Sequence, residues 1–302
     1  MNRNLARILL TSAGVIWGFG FIINKYILDS GWDDSQLLFV RFFTATVFIF
    51  LIFLKRIIKT DIKTISSGVF LGVFLYLGFF FQTWGLENTN PSNNALITAG
   101  YIILLPLIIF VMERKRVHNK TILAGIITLI GISLISVDFD SLSISFGDSL
   151  TFIGAFFYSI HIYFLGKIAK KKDPITLMAF QLLFFSIVAF IVMQSRTGFP
   201  FIDFNDFGSY SILLLGIGIG IFASFLGFVF QSIGQKHTNE AEAAILISTE
   251  SVFGPVFAIV FYNDPFNMII LIGIILVFGG IVLSELDIVE WIKKKKIKAK
   301  IK

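Results

Sequence analysis

The chain has 302 residues, 56% of them hydrophobic and 15% charged, and a net charge of +6. A soluble domain carries about 25% charged residues, so this composition excludes a water-facing globule and points to an apolar solvent. There is no cysteine, which excludes a disulfide scaffold, a thiolate metal site and a cysteine nucleophile, and the histidines at 118, 161 and 237 show no ligand spacing.

In chain order, apolar runs of roughly the 20 residues needed to cross the hydrocarbon lie near 6–28, 35–54, 65–86, 92–112, 118–137, 148–168, 174–194, 209–234, 241–262 and 266–286. They predict an all-α membrane protein with ten transmembrane helices. The first run follows Arg3 and Arg7 as a signal peptide would. It is too long for one and lacks a small-x-small cleavage site, so it reads as a span.

The basic residues separate by side. Arg3, Arg7, Lys55, Arg56, Lys59, Lys63, Arg114, Lys115, Arg116, Lys120, four lysines between 167 and 172, Lys236 and seven lysines from 293 onward share one side, which makes 22 of 25. Acids such as Asp29, Asp34, Glu87, Asp148 and Asp264 occupy the other. Positive residues stay inside, so both termini are expected in the cytoplasm of a multi-pass protein of a bacterial cytoplasmic (inner) membrane. The tail Lys293 to Lys302 is expected to face anionic lipid, and no nucleic-acid partner is expected.

Displaced by 149 residues, the chain meets itself without a gap. Gln82, Gly85, Thr89, Asn90, Ala95, Pro106 and Gly131 align with Gln231, Gly234, Thr238, Asn239, Ala244, Pro255 and Gly280. Each copy holds five spans, an odd number, so the second is expected to enter the membrane inverted, with repeats at 1–143 and 144–302. Inverted repeats around a midplane site are an architecture of secondary transporters.

At these residues the chain resembles the ten-helix EamA-type permeases of the drug/metabolite transporter superfamily. The residues are Trp17-Gly18, Gln82 to Gly85 with Thr89, Pro106 with Met112-Glu113, Gly147-Asp148, Gln231 to Asn239, Glu250 to Phe253 with Pro255, and Gly273 to Gly280. One departure is Asn263-Asp264, where the family often ends span nine with Gly-Glu. The resemblance implies secondary active transport of a small metabolite, an amino acid or related amine, by alternating access. Efflux of aromatic cations is the alternative reading, and a membrane receptor or enzyme a more distant one. No cofactor is expected, and the chain is expected to act as a monomer or homodimer.

Polar residues inside the spans are the candidates for function. Glu250 lies about nine residues, on the order of 14 Å, into span nine. There it is expected to attract a substrate ammonium or to carry a coupling proton. Tyr101 is its repeat partner. Trp17 lies mid-membrane in span one, and Tyr158 is its partner at a displacement of 141. His161 shares the face of Tyr158, and all five are expected around one cavity. Asn94 and Thr98, with Asn93, open span four and are expected to meet substrate. Gln82 and Gln231 are expected to bond neighbouring helices, and Pro106 and Pro255 to kink theirs. Arg41 is expected to snorkel outward or pair with Asp33 or Asp34, with anion binding as the alternative. Gly14-x-x-x-Gly18, Gly68-x-x-x-Gly72 and Gly216-x-x-x-Gly220 read as close-packing patterns. No Walker loop, Gly-x-Ser-x-Gly or His-Glu-x-x-His is present, so no ATP-driven pump or enzyme is expected.

Overall fold

The computed structural model describes residues 1–114, 119–138, 143–200, 202–203, 206–264 and 266–285. His118, Lys115, Arg116 and the lysine-rich tail fall outside the described residues. The first half consists of α1 (Arg3–Asp29), α2 (Asp34–Ile57), α3 (Ile62–Glu87), α4 (Pro91–Thr98), α5 (Tyr101–Glu113) and α6 (Asn119–Ser136). A two-residue antiparallel pair, β1 (Val137–Asp138) with β2 (Ser143–Ile144), connects it to the second half. That half consists of α7 (Phe146–Ala169), α8 (Pro174–Arg196), α9 (Phe207–Ile219), a π-helical turn (Gly220–Leu226), α10 (Gly227–Lys236), α11 (Glu240–Ile247), α12 (Glu250–Phe261) and α13 (Met268–Glu285).

Helices dominate because lipid offers the backbone no hydrogen-bond partners, so each span must satisfy its own. Short polar residues start them. Asn2, Asp33, Asp61, Asp173 and Asp206 each accept a backbone N–H three residues on, a cap worth about 1 kcal/mol. Eight spans combine length with apolar character, counting α4 with α5, α9 through α10, and α11 with α12 as one span each. The remaining two, α6 and α13, are apolar helices of 18 residues, about 27 Å at 1.5 Å per residue. The ten spans expected from the sequence are thus all present, and large apolar side chains such as Leu51, Val111, Phe261 and Met268 are exposed on the outside.

The two halves are related by a pseudo-two-fold axis, visible in which residue meets which glycine. In one half Gly85 packs against Gly147 and Thr151, and Gly78 against the Tyr158 ring. In the other Gly234 packs against Ala6 and Leu10, and Gly227 against the Trp17 indole. Each residue in the second set is the repeat counterpart of one in the first. On the axis, counterparts meet each other: the Thr46 and Ser186 hydroxyls lie 2.7 Å apart. At the far end of the axis α6 crosses α13, with Gly131 against Gly273 and Val277, and Gly280 against Ala124 and Thr128.

Two features depart from ten regular spans. Spans four and nine are broken, at Ala99-Gly100 and at Ser248-Thr249, positions again 149 residues apart. Backbone bonds tighten there to a spacing of three, as in Ile102 N–H to the Ala99 carbonyl and Ser251 N–H to the Ser248 carbonyl. Pro106 and Pro255 lie downstream, inside α5 and α12, so the interruption precedes the prolines that were expected to cause it. The second feature is the π turn. Gly68 and Gly72 align with Gly216 and Gly220 at a displacement of 148, whereas Gly78 and Gln82 align with Gly227 and Gln231 at 149. The extra residue of the second copy is absorbed in Gly220–Leu226, where a π turn accommodates one more residue than the α-helix.

Gly280 and its neighbour Gly279 give a paired test. A Cβ at Gly280 would meet the Ala124 carbonyl oxygen and the Thr128 hydroxyl, while one at Gly279 would meet nothing within 4 Å. Gly280→Ile is expected to destabilise the detergent-solubilised protein by about 1–3 kcal/mol through overpacking. Gly279→Ile is expected to change its thermal midpoint little.

Candidate functional site

The two helix breaks lie near the middle of their spans, and each is followed by the first residue of its second half-helix, Tyr101 on α5 and Glu250 on α12. Both are buried, Glu250 to 4% exposure. The Tyr101 phenol lies beside the Glu250 carboxyl, and its hydroxyl donates to the Ala244 carbonyl at 3.5 Å. Glu250 opens α12, so its carboxylate lies at the positive end of that half-helix.

Around this pair lies a narrow cavity of about 50 Å³, lined by Trp17, Gly20, Phe21, Asn24, Arg41, Leu75, Phe79, Gln82, Thr98, Tyr101, Tyr158, His161, Ile162, Phe228, Gln231, Ile247 and Glu250. A water occupies roughly 10–15 Å³ on this measure, so the space holds a few waters and a larger solute enters only if helices or side chains move apart. The Trp17 indole N–H donates to the Ala223 carbonyl at 2.8 Å, an oxygen on the π turn, and its ring lies 5.0 Å from that of Phe228. The Tyr158 hydroxyl donates to Gln82 Oε1 at 2.8 Å, and Gln82 Nε2 donates to Thr98 Oγ1 at 2.8 Å. His161 Nε2 bonds Gln181 Oε1 at 2.7 Å.

Trp17, Tyr101, Tyr158, His161 and Glu250 therefore line one cavity, and Thr98, expected only at the opening of span four, lines it with them. Asn94 is not. It is fully buried behind the cavity, its Nδ2 donating to the Gln82 carbonyl and to Thr151 Oγ1, so its side chain ties α4 to α3 and α7. Arg41 also departs from the expectation. It is 3% exposed and lines the cavity, its Nε donating to Ser224 Oγ at 2.6 Å with the Phe42 and Phe79 rings alongside. Asp34 pairs instead with Arg196 at 2.6 Å, and Asp33 accepts from Thr197 and caps α2. Gln82 bonds neighbouring helices, whereas Gln231 Oε1 is buried without a hydrogen-bond partner, as is Oδ1 of Asn24. Sequence reading missed Asn24; its place one turn beyond Gly20 on the face of Trp17 was the available signal.

Polar contacts join the two halves at both ends of the helices. On the side of the N-terminus Arg3 and Arg7 hold Glu242 at 2.6 and 2.5 Å, Lys170 holds Glu240 at 2.8 Å, and Lys167 holds Glu113 at 2.6 Å. On the other side Thr89 donates to Asp148 at 2.6 Å with Asn93 at 3.4 Å, and Ser92 N–H donates to Asp264 at 2.9 Å. Arg7 with Glu242 and Asp148 with Asn93 are repeat counterparts, α1 on α11 answering α7 on α4. Asn90 and Asn239, the asparagines of the repeated Thr-Asn motif, cap α4 and α11 through Asn93 N–H and Glu242 N–H. The motif recurs because both broken spans need a cap at their first turn.

Comparison with known proteins gives the same architecture. The model of the EamA-like transporter family matches residues 4–137 and 145–286. The chain is similar to an uncharacterized transporter of Archaeoglobus fulgidus, at 28% identity over 95% of this chain and 88% of the relative. It is also similar to the uncharacterized transporter YyaM of Bacillus subtilis, at 24% identity over 92% of each chain. A solved crystal structure superposes with a TM-score of 0.70 at 15% identity over 94% of this chain and 98% of its own, a likeness of fold alone.

The absence of native cysteine makes the cavity directly testable. Thr98→Cys, on the cavity wall, is expected to react with a small water-borne thiol reagent in membranes at least ten times faster than Asn94→Cys, which points into the α4–α7 contact. Equal rates would mean that the wall is drawn wrongly.

Proposed function

The chain belongs to the EamA-like transporter family, and from that premise we propose that it is a secondary active transporter of a small amine-bearing metabolite, an amino acid or related amine. The observation that carries the reading is the carboxyl of Glu250 near the middle of its span, in a cavity also lined by Asn24 and Gln231, each with a side-chain oxygen that has no hydrogen-bond partner among the described residues. An ammonium has three N–H donors, and these three residues offer matching acceptors. Trp17, Tyr101 and Tyr158 add aromatic faces suited to a cation.

Transport proceeds in this reading by alternating access of the inverted halves. The Arg3 and Arg7 contacts to Glu242 part on one side while those of Asp148 hold on the other, and the pattern then reverses. The basic residues at helix ends on the side of the N-terminus support a cytoplasmic location for that side, in a bacterial inner membrane. Glu250 releases its proton to water on one side when the substrate ammonium takes its place and regains a proton on the other when the substrate leaves, which couples the two fluxes.

The test is paired flux in liposomes on wild type and Glu250→Gln across roughly pH 5 to 8, a range that a desolvated glutamate spans. Gln keeps size and hydrogen bonding and removes the titratable charge. Transport driven by a pH gradient is expected to fall at least tenfold with folding retained; undiminished flux with an unchanged pH profile would make Glu250 structural. For topology, a reporter after Ser30 is expected to read extracytoplasmic and one after Lys59 cytoplasmic.

A further inference from the structure

The cavity holds a second charge that the ammonium reading does not use. Arg41 is buried in the span of α2, and no carboxylate lies within salt-bridge distance of it among the described residues; Asp34, on the same helix, is taken by Arg196. Among the described residues its one hydrogen bond is from Nε to Ser224, and the terminal nitrogens Nη1 and Nη2 have no acceptor there. An unpaired guanidinium in a membrane core is costly, and such residues mark ligand paths or find a partner.

The repeat shows what is missing beside it. The counterpart of Arg41 is Gln181, since Gly220 packs on the Arg41 carbonyl as Gly72 packs on that of Gln181. Gln181 is satisfied by His161. The counterpart of His161 is Gly20, which lines the cavity and where even an added Cβ would find its nearest neighbour 3.6 Å away. One half therefore fills the place next to its polar residue with an imidazole, and the other has only a glycine there, beside a cation.

We propose that Arg41 is the anchor for a carboxylate on the transported molecule, so that the substrate is a zwitterion, its ammonium on the Glu250 side and its carboxylate on the guanidinium. The planar fork of Nη1 and Nη2 matches the two oxygens of a carboxylate, and the Phe42 and Phe79 rings hold the fork in place. A bare amine or a lipophilic cation would leave Arg41 unpaired and bring a second positive charge beside it. This inference rests on the reading of the cavity as the transport site.

The experiment uses pairs of probes that differ only in the carboxylate: leucine with 3-methylbutylamine, phenylalanine with 2-phenylethylamine, and lysine with 1,5-diaminopentane. Thermal stabilisation of the purified full-length protein and counterflow in liposomes are measured for wild type, Arg41→Gln and Arg41→Lys. Wild type is expected to prefer the amino acid to its amine in at least one pair. In that pair Arg41→Gln weakens recognition of the amino acid at least tenfold and of the amine less than twofold, and Arg41→Lys restores part of the difference. Equal weakening of both partners, or a wild-type preference for the amine in every pair, overturns the proposal, and the second needs no variant to fold. If wild type moves amines but no amino acids, the anchor fails and the transport reading stands. If it neither binds nor moves any probe, both fail.

Discussion

The contact between Tyr101 and Glu250 is the point on which the structure turns. A carboxyl halfway across a membrane is tolerated only where protein lines it, and irregular backbone at that depth is subject to the same condition. Both conditions are met at one place, because the breaks at Ala99-Gly100 and Ser248-Thr249 are carried to the centre by the inverted repeat. The residue that opens each second half-helix then faces its own counterpart. Broken helices supply a polar half-helix terminus at the midplane while the rest of each span keeps its backbone bonds internal.

Symmetry builds the frame and departures from it build the site. Gly85 and Gly234, Gly78 and Gly227, and Thr46 with Ser186 make equivalent contacts in both halves, which fixes where the helices lie. Around the cavity the counterparts differ: Tyr101 against Glu250, Trp17 against Tyr158, Gly20 against His161, Arg41 against Gln181. A symmetric cavity would present the same groups twice and could not orient a molecule with unlike ends. The π turn belongs with these differences, since it exists in one half and provides both the Ala223 carbonyl held by Trp17 and the Ser224 hydroxyl held by Arg41.

Much of this was legible in the sequence, because apolar length and charge placement are one-dimensional properties. The ten spans and the displacement of 149 residues could be read directly, and the pairing of Tyr101 with Glu250 followed. The breaks could not. Ser248-Thr249 carries neither glycine nor proline, and the repeated prolines drew the eye six residues too far along. The slip from 148 to 149 between Gly72 and Gly78 was visible, but a one-residue insertion does not say whether a loop or a π turn absorbs it. Asn94 and Arg41 were misplaced for a common reason: depth along a helix gives no direction around it. Asn94 points to α7 and Arg41 inward, and only the packing of neighbouring spans decides that.

The central claim is that residues 101 and 250 face each other across a central cavity, and it can be tested without knowing the substrate. With no native cysteine in the chain, Tyr101→Cys and Glu250→Cys can be combined in one protein and treated in membranes with a short bifunctional thiol reagent. Thr46→Cys with Ser186→Cys serves as the reference pair on the same axis. The account predicts an intramolecular 101–250 cross-link, identified by mass spectrometry, that forms alongside the 46–186 link. Separate modification of both thiols at 101 and 250 without a bridge, while the reference pair links, would contradict it.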